Sequence, residues 1–420
     1  RTCYAPHSGE PVVPAEHPGC GRVTLGRVNA PPGGTRWLAV AAYAFFVTML
    51  GTTLPTPLYA LYSAQWGLSG VSTTVVFATY AVGVILGLVL LGRSSDTAGR
   101  RPLLIIGLGL AALSALAFLL ADGLGWLLLG RLLSGLSAGV FTGTATTALV
   151  ELAGPMPRRT ASLLATAVNM LGLGTGPLLA GTIAQWGPDP LRTPYLLHLV
   201  LLVPAAIGLS QLPETVHATG PVRIAPLRLT LPAEVRPAFW PAALAGFAGF
   251  ATLGLFTAVE PRFLSQVLGI SDHLAAGAMV SGVFVASTLA QIASTRISTR
   301  VALPLGCAAL VIGMLLVVLA LETSGLVVLI AGSLVTGAGQ GMSFRAAMDA
   351  VSRLSPPGRG GEVTSTLFVV FYVAISVPVL GVGLLAAGPG LLDAALIFAI
   401  GVAVLAVLAA LRLWRRPVTA

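Results

Sequence analysis

Apolar runs long enough to cross a bilayer recur twelve times along the chain, near residues 37–62, 71–91, 103–121, 125–152, 160–186, 192–212, 237–259, 273–294, 303–321, 325–352, 362–387 and 391–412. Short polar stretches rich in Gly, Pro and Arg separate them. A run of about 20 apolar residues matches the hydrocarbon thickness of a membrane. Lipid offers no partner to a backbone N–H or C=O, so each run is predicted to be an α-helix. The longest internal break, 213–236, carries Pro213, Pro221, Pro226 and Pro232 and divides the helices six and six. An offset of about 202 residues relates the halves: Gly130, Gly135 and Gly139 align with Gly332, Gly337 and Gly341, and Gly67-Leu68-Ser69 with Gly269-Ile270-Ser271. A duplicated six-helix unit is the internal symmetry of a secondary transporter.

Composition agrees. Of 420 residues, 56% are hydrophobic and 9% charged, with mean hydropathy +0.92. Soluble domains carry about 25% charged residues. The formal net charge is +9, and every one of the 23 basic residues is Arg. These arginines sit in loops rather than on one patch, which argues against a nucleic-acid partner. With both termini placed inside, nineteen arginines fall on the inner side and only Arg192 and Arg262 on the outer, which predicts an N-in/C-in topology. Residues 1–36 lack the apolar core of a signal peptide and are expected to form a disordered cytoplasmic tail. The domain expectation is thus a tail at 1–36, bundles at 37–212 and 237–412, a cytoplasmic linker at 213–236 and a tail at 413–420. Cys3, Cys20 and Cys307 fit no metal framework.

The loop Gly92-Arg-Ser-Ser-Asp96-Thr-Ala-Gly99-Arg100-Arg101 is the most informative stretch. Its glycines permit a tight turn. Asp96 is placed to accept from the N-terminus of a nearby helix, and Arg100 to reach a carboxylate. The order resembles the signature G-x-L-x-D-R-x-G-R-[RK] of the major facilitator superfamily, with Ser94 and Thr97 departing from it. Three further stretches resemble patterns of the same family. Arg131-x-x-x-Gly135-x-x-Ala138-Gly139 is similar to its fourth-helix pattern. Gly172-x-x-x-Gly176-Pro177-x-x-Ala180-Gly181 is similar to its antiporter motif. Leu50-Gly51 through Pro55 and Pro57 is similar to the Pro-rich end of helix 1 in drug–proton antiporters. The two prolines should break that helix. Gly135-Leu-Ser137-Ala-Gly139 also fits the hydrolase G-x-S-x-G pattern, but mid-helix in lipid it reads as a packing motif.

The resemblance implies two pseudo-symmetric six-helix bundles around a central cavity, working by alternating access. It implies a conformational lock at Gly92, Asp96, Gly99, Arg100 and Arg101, with Glu151 as partner of Arg100 in the outward-facing state. It implies a coupling role for Arg131, with an interfacial snorkel as the plainer alternative. Glu260, next to Pro261-Arg262, is the acid candidate for proton coupling, and otherwise an interfacial group. Asp349, four residues after Arg345, suggests a local ion pair, and His198 a satisfied core histidine. By analogy with the fold, Phe45, Thr52, Phe141, Phe247, Gln340 and Phe344 would line the cavity, joined by Asn169. The set is apolar and aromatic. The expected function is proton-coupled efflux of small apolar or amphipathic molecules by a monomer in a bacterial inner membrane. Its partners would be substrate, protons and the lipid bilayer, without cofactor or catalytic residues. An uptake symporter or facilitator for a sugar or other metabolite is the alternative, and a membrane sensor or enzyme the second. No G-x-x-x-x-G-K-[ST] occurs, so ATP-driven pumping by this chain is excluded.

Overall fold

The computed structural model describes residues 34–92, 94–216, 220, 222, 229–266, 268–356, 359–388 and 390–415. Of the tail expected over 1–36, residues 1–33, with Cys3 and Cys20, lie outside the described residues, as do parts of the linker and residues 416–420, while residues 34–36 open the first helix. Among the described residues fifteen α-helices follow one another: α1 Gly34–Thr53, α2 Tyr59–Trp66, α3 Gly70–Leu91, α4 Ser94–Ala98, α5 Arg100–Leu119, α6 Leu124–Leu152, α7 Arg158–Trp186, α8 Thr193–Gln211, α9 Arg236–Ala258, α10 Glu260–Gln266, α11 His273–Ala293, α12 Thr299–Thr323, α13 Leu326–Leu354, α14 Gly360–Leu385 and α15 Leu391–Arg415. Among the described residues, twelve helices have the length and apolarity of membrane spans; α2, α4 and α10 are short connectors.

The first apolar run does not remain one helix. α1 stops at Thr53 because neither Pro55 nor Pro57 can donate to a helical ladder. Thr56 N–H instead donates to Thr53 O at 3.1 Å and Leu58 N–H to Pro55 O at 3.1 Å, and the chain resumes as α2. Side chains cap two other starts: Ser69 accepts from Ser72 N–H at 3.1 Å before α3, and Asp272 from Ala275 N–H at 2.9 Å before α11.

Small residues set how closely the helices pack. Gly83 and Gly87 of α3 face Gly135 and Gly139 of α6 so closely that a Cβ on Gly135 would overlap the Tyr80 carbonyl oxygen. Gly306 and Gly313 of α12 accept Ser343 and Thr336 of α13 in the same way. Bulky apolar side chains fill the lipid-facing surface, among them Val200, Leu289, Val327 and Leu384, each more than 60% exposed. Polar side chains are drawn inward, Thr252, Ser287, Thr336, Gln340 and Ser343 being fully buried.

The two six-helix bundles meet along α7 against α11 and α3 against α14. The tightest contacts lie on the face away from the 94–100 loop. There a Cβ on Gly181 would strike His273 O, one on Gly277 would strike Pro177 O, and one on Gly383 would strike Thr74. His273 N–H donates to Gln185 Oε1 at 3.0 Å, and Ser281 Oγ–H to Gly174 O at 2.5 Å.

Candidate functional site

The loop after α3 is tighter than a plain turn: it contains the helical turn α4, then Gly99 at φ +100°, a conformation that favours glycine. α5 begins at once, with Arg100 in its first turn. Arg100, 7% exposed, is clamped by two carboxylates. Its NH1 donates to Asp96 Oδ1 at 2.6 Å and to Ser95 Oγ at 2.8 Å, and its NH2 reaches Glu151 Oε1 at 3.1 Å from the end of α6. The expected Arg100–Glu151 contact is therefore made. The expected role of Asp96 at a helix N-terminus is not seen: Glu214 supplies that carboxylate, accepting from Arg100 N–H at 2.7 Å and Arg101 N–H at 3.1 Å. An anion there neutralises the orphan donors and positive end of α5. Thr215 Oγ–H donates to Glu151 Oε2 at 2.5 Å, drawing the segment after α8 into the same cluster. Gly92 ends α3, and a Cβ there would overlap Leu88 O. Arg101 donates to Ser210 O.

Arg131 is no interfacial snorkel. It is 1% exposed, the largest fully buried side chain of the described residues. Its NH1 donates to Thr52 O at 2.6 Å, the carbonyl freed where α1 breaks. Three rings surround the guanidinium: Tyr80 at 5.1 Å, Phe77 at 5.5 Å and Tyr59 at 5.6 Å from Cζ. No carboxylate pairs with it among the described residues; ring faces take that place.

Glu260, at the start of α10, is 4% exposed. Ser333 Oγ–H on α13 lies 3.0 Å from Glu260 Oε1 and 2.8 Å from Leu329 O, and Glu260 Oε2 has no partner. Burial pushes this carboxyl up to about 8, with the Ser333 hydrogen bond pulling modestly the other way. The single Ser333 proton thus has two acceptors in reach, Glu260 Oε1 and Leu329 O.

On α7, Asn169, Gly172 and Gly176 follow at three- and four-residue steps and so share one face. A Cβ on Gly172 would overlap Phe46 O, and one on Gly176 would overlap Leu50 O and Thr53 Oγ1. Pro177 and Gly181 lie toward α11. Asn169 is half-buried, with Oδ1 unpartnered.

The aromatic candidates divide. Phe45 and Phe141 are fully buried and stacked at 6.3 Å inside the first bundle, Phe141 against Gly107. Thr52 is buried, its hydroxyl donating to Met49 O at 2.7 Å. Phe247 is half-buried at the edge of the second core. Gln340 is fully buried, Oε1 accepting from Ser287 Oγ–H at 2.6 Å while Nε2 is unpartnered. Phe344 joins Phe250 at 5.6 Å and Phe371 at 5.9 Å. Tyr372 on α14 then connects the halves, 6.5 Å from Phe250 and 6.4 Å from Tyr80, which lies over Arg131. An aromatic track thus runs from Arg131 across the bundle interface to Phe344.

His198 is buried, with Nε2 3.1 Å from Val47 O, as expected of a core histidine. Asp349 does not pair with Arg345 as expected. It accepts from Arg353 at 2.9 Å and Thr299 at 2.5 Å, while Arg345 donates to Ser294. The sequence reading missed Glu214, Tyr80, Tyr372 and Ser333. Only Ser333 had a signal, since the 202-residue offset aligns it with Arg131.

The model of the Major Facilitator Superfamily matches residues 41–378. The chain is similar to the cephamycin export protein CmcT of Amycolatopsis lactamdurans, 29% identical over 40% of this chain and 34% of that one. It is similar to multidrug resistance protein 2 of Bacillus subtilis, 27% identical over 39% of this chain and 40% of the relative. The class D tetracycline resistance protein of Salmonella ordonez is 33% identical over 30% and 31% of the two chains. The matched stretch thus spans two fifths or less of these relatives' own lengths. Its fold is shared with a D-xylose–proton symporter, at TM-score 0.74 and 17% identity over 91% of this chain and 97% of that one. A peptide transporter POT in complex with sulfate gives TM-score 0.75 and 13% identity over 91% and 94%. Twelve candidate spans among the described residues, in two bundles, and a family match over most of its length make this chain a multi-pass membrane protein of the Major Facilitator Superfamily.

Proposed function

We propose that this transporter exports small apolar or amphipathic molecules in exchange for protons, acting as a monomer in a bacterial inner membrane with both termini in the cytoplasm. Glu260 carries the reading: a buried acid whose pKa burial raises, with one oxygen unpartnered, is suited to take up and release a proton when its surroundings are rewetted. The aromatic track from Tyr80 through Tyr372 to Phe250 and Phe344 supports an apolar substrate, since rings offer large area with few hydrogen bonds to satisfy. The names of the export and resistance relatives support the direction. So does the close seating of Gly172 and Gly176 on α1 and of Pro177 and Gly181 on α11. With the 94–100 loop cytoplasmic, the tight contacts on the far face support an inward-facing state. Arg100, Asp96 and Glu151, already clamped together within the first bundle, are assigned with Gly92, Gly99 and Arg101 to the conformational lock of the loop face, and Arg131 to coupling.

Efflux from everted vesicles with an imposed pH gradient tests this, followed by a pH-sensitive dye as lipophilic cations and neutral drugs are added. Proton release on addition of one class supports antiport. Proton movement with the opposite sign, or sugar-dependent uptake, overturns it in favour of a symporter.

A further inference from the structure

Between α5 and α8 an apolar groove of about 480 Å³ opens on the outer surface of the first bundle. Ile105, Leu108 and Gly109 of α5 and Leu199, Val203 and Ser210 of α8 line it. Its α8 wall, from residue 199 to 210, rises about 16 Å at the helical ~1.5 Å per residue. That is close to one leaflet of a ~30 Å hydrocarbon core. The groove ends at the loop face, where Arg101 donates to the carbonyl of Ser210. The other half of the charge clamp has been spent differently: Arg100 is held by Asp96 and Glu151. Glu214 is taken up by the N–H groups opening α5. Among the described residues the Arg101 guanidinium is left with the Ser210 carbonyl as its hydrogen-bond partner, and with donors to spare.

An apolar slot one leaflet deep, with a cation at its interfacial end, matches a molecule with one acyl chain along the slot and an anionic headgroup at the arginine. We propose that the α5–α8 groove is a binding site for an anionic phospholipid of the surrounding bilayer, its phosphate held by Arg101. The groove lies on α5 and α8, outside the bundle interface, and the proposal does not depend on the direction of export.

Gly109 provides the decisive variant, because a Cβ there meets no atom within 4 Å. Gly109→Phe fills the slot without pressing on the core. The intact protein is purified in detergent, incubated with phosphatidylglycerol or phosphatidylethanolamine, and examined by native mass spectrometry. The expected result is retained phosphatidylglycerol in several-fold preference to phosphatidylethanolamine. Arg101→Gln should remove the preference and Arg101→Lys should keep most of it, while Gly109→Phe should reduce retention of both lipids. Equal retention of the two lipids by the wild type overturns the proposal. So does lipid binding that Arg101→Gln and Gly109→Phe both leave unchanged. A two-subunit mass that Gly109→Phe converts to one subunit would overturn it too, making the groove a contact between copies.

Discussion

Ser333 and Arg131 stand at equivalent positions of the two halves, one serving an acid and the other a broken helix end. Ser333 faces Glu260 at 3.0 Å just beyond α9, and Arg131 faces Thr52 O at 2.6 Å at the end of α1. At the shared offset the α6 position carries a cation and the α13 position a hydroxyl, each turned to a different partner at the end of its neighbouring helix. The single Ser333 proton has two acceptors, Glu260 and Leu329 O, so the carboxyl is best satisfied when neutral.

The pH dependence of stability follows from that carboxyl. Unfolded, the acid titrates near 4.5; folded, near about 8. Below the first value both states are protonated. Between the two only the unfolded chain releases its proton, so stability falls as pH rises through about 8 and then levels. The thermal midpoint in detergent should show this decline, and Glu260→Gln should flatten that part of the profile while abolishing proton-coupled transport. A profile identical in both proteins would disprove the assignment.

Arg131 should matter for transport more than for stability. Replacing a buried charge by an apolar side chain of similar size is often neutral or stabilising. Arg131→Met is expected to hold its thermal midpoint within a few degrees, or raise it, and to lose transport. Tyr80→Leu, which removes the nearest ring, should cost about 2 kcal/mol or less from the cation–π contact itself. Chemical denaturation in mixed micelles measures both.

The two carboxylates on Arg100 should separate stability from activity. The Asp96 side chain is 70% exposed, so its ion pair contributes at most ~1 kcal/mol. Asp96→Asn should express and melt normally yet cripple transport. Glu214→Gln should instead lower stability by about 1–2 kcal/mol, because the N–H groups opening α5 lose a charged acceptor. Expression level, melting and efflux together distinguish the two.

Gly176→Leu should force α7 away from α1, since the new side chain would overlap Leu50 O and Thr53 Oγ1. Overpacking of this kind costs about 1–3 kcal/mol. Gly143→Leu is the control, its position being open. Impaired export by the first variant and normal export by the second is the expected pair of results, read by substrate accumulation in cells. Equal behaviour of the two would reduce the glycine pattern of α7 to coincidence.

Much of the fold was legible along the chain because the bilayer imposes its rule on each helix separately. Every spanning segment must be apolar, long enough and internally hydrogen-bonded, so twelve runs announce twelve helices without reference to any neighbour. Breaks are equally local: Pro55 and Pro57 end α1 wherever it packs. Repetition exposed the duplication.

What the tertiary structure alone decided is which faces meet. Glu260 follows a Thr-Ala-Val end and precedes Pro261-Arg262, a context that reads as interfacial, yet α13 closes over it. Tyr80 and Tyr372 lie nearly three hundred residues apart and come together only because α3 crosses α14. Glu214 rather than Asp96 reaches the start of α5, because the chain leaving α8 folds back over it. Helix rotation and crossing are set by pairs of small residues on different helices, Gly135 with Gly83 or Gly181 with Gly277. No linear pattern states such pairings, since each glycine permits a close approach without naming its partner.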